Sequence, residues 1–175
     1  MSSLKTSINL PAYDQDQKGL IIKLDLSCSP SVHFSVSSSG EIANALKRSL
    51  IRTVEIITSL HTKWHCLCEY TWHLSSYPNH FIVKDTKSTG IPLAIACFNI
   101  FNGIKGGKIC SHSFGTGILR HDGSFDAASH ESIKEKAIKN KIGQDIQFIT
   151  SKTCSNLFEL FQLISTNHRR IYEKQ

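Results

Sequence analysis

Apolar and polar positions alternate with periods that change several times along the chain, and each change marks an element. Gly19–Leu26 has strand character, and Val32–Val36 alternates as a half-exposed strand does. Ser27–Ser31, containing Pro30, read as the turn between them. Ile42, Leu46, Leu50, Val54 and Ile57 then recur at steps of four and three, which makes one apolar stripe on a helix. Ser38 and Glu41 stand at capping-box spacing, in which each side chain satisfies a free N–H of the first turn. A helix from Ser38 to Leu60, lying flat on a sheet, is therefore expected. Lys63–Trp72 alternates again, with Trp64, Cys66, Cys68 and Tyr70 on one face, and reads as a strand. Tyr77-Pro78-Asn79 breaks it, and His80–Lys84 reads as a short extended piece.

Asp85–Gly90 is a polar elbow that opens into Ile91–Phe101, a segment apolar on nearly every side and so a buried helix. Pro92 suits its first turn, where no intrahelical N–H is lost, and Gly103 suits its stop. Lys108–His121 predicts two short strands meeting near Gly115, Ser132–Asn140 a helix, and Asp145–Thr150 a strand. Leu157, Leu160, Phe161 and Ile164 form the buried stripe of a last helix. Strands and helices mixed in this order predict an α/β or α+β domain. Residues 1–18 are read as a flexible N-terminus, 19–166 as the domain, and 167–175 as a basic, solvated tail.

The 175 residues are enough for one well-buried core, and 40% apolar with 19% charged residues describes a globular chain. No run approaches the roughly 20 apolar residues of a membrane span. The first thirty residues lack a basic start followed by an apolar block, so the cytoplasm is the expected compartment. The six cysteines include a single close pair, Cys66 and Cys68, with no second pair to complete a zinc site. Reduced, partly buried thiols are expected, with no metal and no cofactor. The net charge of +6 is spread along the chain and not interleaved with aromatics on one surface, so a nucleic-acid partner is not expected.

Ser88, within Asp85-Thr86-Lys87-Ser88-Thr89-Gly90, is the position that invites chemistry. A serine at the start of a buried helix sits at the positive end of the helix dipole. Backbone N–H groups at such an elbow, around Thr89 and Gly90, can bind an oxyanion. Local sequence alone favours the plainer reading, a serine that only caps a helix.

The string of neighbours resembles the proteolytic domain of the Lon family. That domain has an elbow holding its serine, an apolar helix, a strand with Thr-Gly, and a helix with Lys-Glu-Lys. Lys87-Ser88-Thr89-Gly90, Ile91–Phe101, Thr116-Gly117 and Ile133-Lys134-Glu135-Lys136 follow in that order, and Asp85 matches an aspartate three residues before the serine. The resemblance covers roughly residues 19–165 and implies a mixed sheet packed with helices. It also implies a serine endopeptidase using a Ser–Lys dyad: Ser88 as nucleophile, Lys136 as base, and Thr116 and Asp85 in support. Lys134 is the alternative base, because residues 134 and 136 are about 200° apart on a helix and only one can face Ser88. Lys136 shares a face with Ile133 and Ala137, as an inward lysine would.

A lysine acting as base must be neutral when Ser88 attacks, and burial favours that form. The neutral amine then takes the hydroxyl proton and returns it to the leaving amine. Lys87 replaces the family's proline, Glu131-Ser132 its glycine pair before the lysine helix, and Ile118 the glutamate after Thr-Gly. The chain also lacks the ATPase motif: Gly106-Gly107-Lys108 has Asn102 where the first glycine belongs and Ile109 where Ser or Thr belongs. Hydrolysis of a polypeptide substrate independent of ATP in this chain is thus the expectation, with a separate ATPase or a homo-oligomeric ring as partner. The alternative is a catalytically weak or silent Lon-like domain that acts in assembly or binding.

Overall fold

In the computed structural model, residues 3–77, 86–107 and 113–173 are described, with side chains up to residue 166. The protein is a mixed α+β domain. Its sheet holds β1 (Leu4–Tyr13), β2 (Gly19–Pro30), β3 (Ser35–Ser39) and β4 (Tyr70–Ser76) in the order β1-β2-β4-β3. β1–β2 and β2–β4 are antiparallel, and β3–β4 is parallel.

The expected flexible N-terminus is instead the ten-residue strand β1, paired with β2 from Leu4↔Cys28 to Tyr13↔Gly19. Thr6, Ile8 and Leu10 alternate inward while Lys5, Ser7 and Asn9 interrupt the apolar signal, as a strand buried on one face requires. Asp14 closes the hairpin, its carboxylate accepting the N–H groups of Asp16 and Lys18 at 2.9 and 2.8 Å. β2 also runs through the expected turn to Pro30, because Leu24, Leu26 and Cys28 continue one fully buried face. The second strand is displaced to Ser35–Ser39 and leaves Val32 exposed.

Helix α1 (Glu41–Leu60) carries the expected stripe, with Ile42, Leu46, Leu50, Val54 and Ile57 all buried. Its cap differs from expectation. Ser38 lies in β3 and donates to Asn44 Oδ1, while the N-cap is Gly40 at φ 94° with no side-chain cap of its own. Any Cβ at Gly40 would meet Ser76 O at 2.4 Å, and Ser76 Oγ accepts the Ala43 N–H in place of a local cap. The strand expected over Lys63–Trp72 is a 3-10 segment, Thr62–Glu69, followed by β4. Trp64 and Leu67, three residues apart, bury together, which is the period of that helix. Trp64 stacks on Phe101 and Phe161 at 4.1 and 4.5 Å.

Helix α2 (Gly90–Ile104) is buried without a break from Gly90 to Ile100, with Pro92 in its first turn. Its elements are packed around it: β1 on one side, α1 and α4 (Leu157–Glu173) on others. The expected stripe of α4 is buried, but its backbone stays helical to Glu173, where a tail was expected. β5 (Phe114–Gly115) pairs in parallel with β8 (Phe148–Ile149), and β6 (Ile118–Leu119) antiparallel with β7 (Phe125–Asp126). Helix α3 (Glu131–Lys141) lies against β1 and β2. Apart from the main core, Phe114, Ile138 and Phe148 form a second, smaller cluster flanked by Ile21 and Ile146. Among the described residues no helix is long and apolar enough to cross a membrane. The extended piece expected at 80–84 lies outside the described residues, as does most of the run 108–113.

Candidate active site

The elbow before α2 is held by strand-like pairing to the segment joining β5 and β6. Gly90 N–H donates to Gly117 O at 3.0 Å and Gly117 N–H to Ser88 O at 3.2 Å, a parallel bridge between Thr89 and Gly117. Glycine is required at 90 because a Cβ there would come within 2.5 Å of the Leu119 backbone nitrogen. Thr89 is the N-cap of α2 and donates from Oγ1 to Thr86 O at 2.7 Å. Ser88, Thr89 and Gly90 are all buried, and Lys87 is exposed beside them. The Gly90 N–H, expected as an oxyanion donor, is spent on this bridge, so Gly90 fixes the elbow and does not bind an oxyanion.

Thr116 is locked between two segments. Its N–H donates to Ile149 O at 2.9 Å, and its hydroxyl donates to Ser88 O at 3.3 Å. Lys134 reaches the same point from α3. Its amine is 3.2 Å from Ser88 Oγ and 3.3 Å from Thr116 Oγ1, and the residue is 1% exposed. Ser88, Thr116 and Lys134 thus come together from three segments far apart in sequence.

The base expected at Lys136 is not there: Lys136 is exposed, and the alternative, Lys134, is the lysine at the serine. The reason is visible on α3. Ile138 is fully buried in the small cluster, and Lys134, four residues earlier, lies on the same face. Ile133 and Ala137 face another way, over Gly19 of β2, where a Cβ would meet Ile133 O at 2.6 Å and Ala137 Cβ at 2.7 Å. The position of Asp85 falls outside the described residues.

Two aromatic residues that sequence reasoning passed over complete the surroundings. Tyr13, at the end of β1, presents its ring 5.7 Å from the Lys134 amine. His130, the residue before α3, stacks on Tyr13 with ring centroids 3.9 Å apart. Tyr13 fell in a segment read as flexible, and nothing local to His130 marks it out. Among the described residues no group of three or more His, Cys, Asp or Glu side chains could hold a metal ion.

The arrangement is chemically directional. Thr116 has one hydroxyl proton and spends it on Ser88 O, so toward Lys134 it can only accept. An amine N–H directed at Thr116 leaves the nitrogen lone pair of a neutral lysine available to Ser88. The chain matches no protein-family model and no curated protein.

Proposed function

We propose that the protein is a Lon-like serine peptidase in which Ser88 is the nucleophile and Lys134 the general base. The observation that carries the reading is a lysine amine, enclosed from solvent, 3.2 Å from the hydroxyl of a serine at the start of a buried helix. That separation is within reach for direct proton transfer. In the first step Ser88 Oγ bonds to the peptide carbonyl carbon as its proton passes to the Lys134 amine. The resulting ammonium then protonates the leaving amine, and water repeats the sequence to release the acyl group. Thr116 orients the amine, and the Thr89–Gly117 bridge keeps the nucleophile in place.

The substrate is a polypeptide, and the chemistry calls for no nucleotide. Turnover of casein or an unfolded peptide by the purified protein tests the reading. Ser88→Ala and Lys134→Met should abolish turnover, and the rate should rise with pH through the titration of Lys134 and then level off. Hydrolysis that persists in Ser88→Ala would overturn the proposal.

A further inference from the structure

Only two non-glycine residues among those described have positive φ, Gln17 and His130. Gln17 sits in the β1–β2 turn, where such a conformation is common. His130 sits at φ 58°, ψ 36° as the N-cap of α3, yet its side chain makes no cap hydrogen bond. Its Nδ1 is buried with no hydrogen-bond partner among the described residues. Glycine would adopt this backbone without strain. Strain held at one residue beside a candidate site points to a role for the side chain that is kept there.

The contact this imidazole makes is the stack on Tyr13, at 3.9 Å between centroids and 30° between planes. Tyr13 in turn turns its ring face to the Lys134 amine. His130 is also tied to the lysine through the backbone, its carbonyl accepting the Lys134 N–H at 3.1 Å. One helical turn therefore sets the ring and the amine in fixed register.

We infer that Tyr13 and His130 are positioning residues for Lys134, a stacked roof that aims the amine at Ser88 and keeps water off it. The inference rests on the peptidase reading. A lysine side chain has four rotatable bonds, and confining it lowers the cost of reaching the reactive geometry. Water excluded from the amine cannot replace Ser88 as its hydrogen-bond partner. The face of Tyr13 also stabilises the ammonium that forms as the Ser88 proton arrives, since an aromatic face attracts a cation.

The test compares His130→Gly with His130→Phe in the whole protein. Three readouts are needed: melting temperature, kcat and KM on unfolded casein, and the NMR titration of Lys134 in protein carrying ¹³Cε-labelled lysine. The resonance is assigned by its loss in Lys134→Met. Glycine relieves the backbone strain, so His130→Gly should melt no lower than the native protein. It should still lose about tenfold in kcat with KM little changed. With water admitted to the amine, its Lys134 midpoint should move up by about one unit. His130→Phe, which keeps a ring on Tyr13, should retain the native rate and midpoint. Native kcat together with an unmoved midpoint in His130→Gly would overturn the inference. So would a His130→Phe variant as impaired as glycine, or a fall in melting temperature that accounts for the lost rate. If Ser88→Ala hydrolyses substrate as fast as the native protein, the peptidase reading fails. The Lys134 titration then still decides whether the roof governs the amine.

Discussion

Lys134 stands one helical turn before Ile138, and these two are the only buried residues of α3. A lysine in line with an isoleucine on the inward stripe is an apolar position occupied by an amine. Burying an amine is costly unless it is partnered, and Ser88 and Thr116 are two of its partners.

That relationship separates the two lysines of the pair experimentally. On the peptidase reading, Lys134→Met should lose on the order of 10³-fold or more in turnover, the loss expected when a general base is removed. Its fold should survive, because methionine fills similar space without the cost of burying an amine. Lys136→Met should change the rate less than about twofold, since exposed substitutions seldom matter. Casein hydrolysis and thermal melts on both variants check this.

Gly90 offers a test of the elbow. An added methyl group would press on the Leu119 backbone and Gly117 O, neither of which can yield as a flexible side chain would. Gly90→Ala should destabilise the protein by about 1–3 kcal/mol, a typical cost of overpacking. It should also displace Ser88 from Lys134, so activity should fall further than the loss of folded protein explains. A urea titration alongside turnover at low temperature distinguishes the two effects.

A third expectation concerns a buried polar pair. Asn99 Nδ2 makes a long 3.5 Å contact to Thr6 Oγ1, and Asn99 Oδ1 has no partner among the described residues. Replacing both residues by apolar ones of similar shape, Asn99→Leu with Thr6→Val, should be neutral or stabilising by about 1 kcal/mol. Thr6→Val alone should be worse than the double variant, because it removes the amide's acceptor. Chemical denaturation of the three proteins would show it.

The buried thiols predict how stability depends on alkaline pH. Burial, reinforced by the charge of Glu159, pushes the Cys154 thiol up from 9.0 to about 11, and burial moves Cys28 and Cys97 upward as well. A raised folded-state value means that the unfolded chain ionises first. The stabilisation is therefore complete below pH 9 and is lost as pH rises toward 11. The denaturation midpoint should fall across that window, and fall less steeply in Cys154→Ala.

Legibility in the sequence followed the strength of local periodicity. The stripes of α1 and α4 and the all-round apolar run of α2 were legible because each contains enough repeats to fix a helical face. β1 was not, since its inward face of Leu4, Thr6, Ile8, Leu10 and Ala12 includes a polar residue and is only half-buried at both ends. The 3-10 segment imitated a strand because Trp64, Cys66, Cys68 and Tyr70 alternate by chance, although burial falls on Trp64 and Leu67. Ser88 and Thr116 were legible through a family-like order of motifs, whereas the choice between lysines turned on which apolar neighbour of α3 lies deepest. Ile133 and Ala137 suggested one answer, and Ile138, packed on Phe114 and Phe148, fixed the other. Tyr13 and His130 meet only through tertiary packing, which no local pattern encodes.

The division of the interior into a large cluster and a small one has a consequence for heating. Ser88 directly precedes the N-cap of α2, a helix rooted in the large cluster, whereas Lys134 belongs to a helix whose Ile138 is held in the small one with Phe114 and Phe148. Regions with few buried apolar contacts open locally at lower free energy than the whole molecule unfolds. On the peptidase reading, the two members of the dyad are thus rooted in clusters of unequal size, and the smaller one anchors the helix that carries Lys134. On that reading, warming should loosen the hold on Lys134 before the main core unfolds, and cooling should restore it. A molecule that stiffens α3 against the sheet would work in the opposite direction, holding Lys134 at Ser88 without touching the serine.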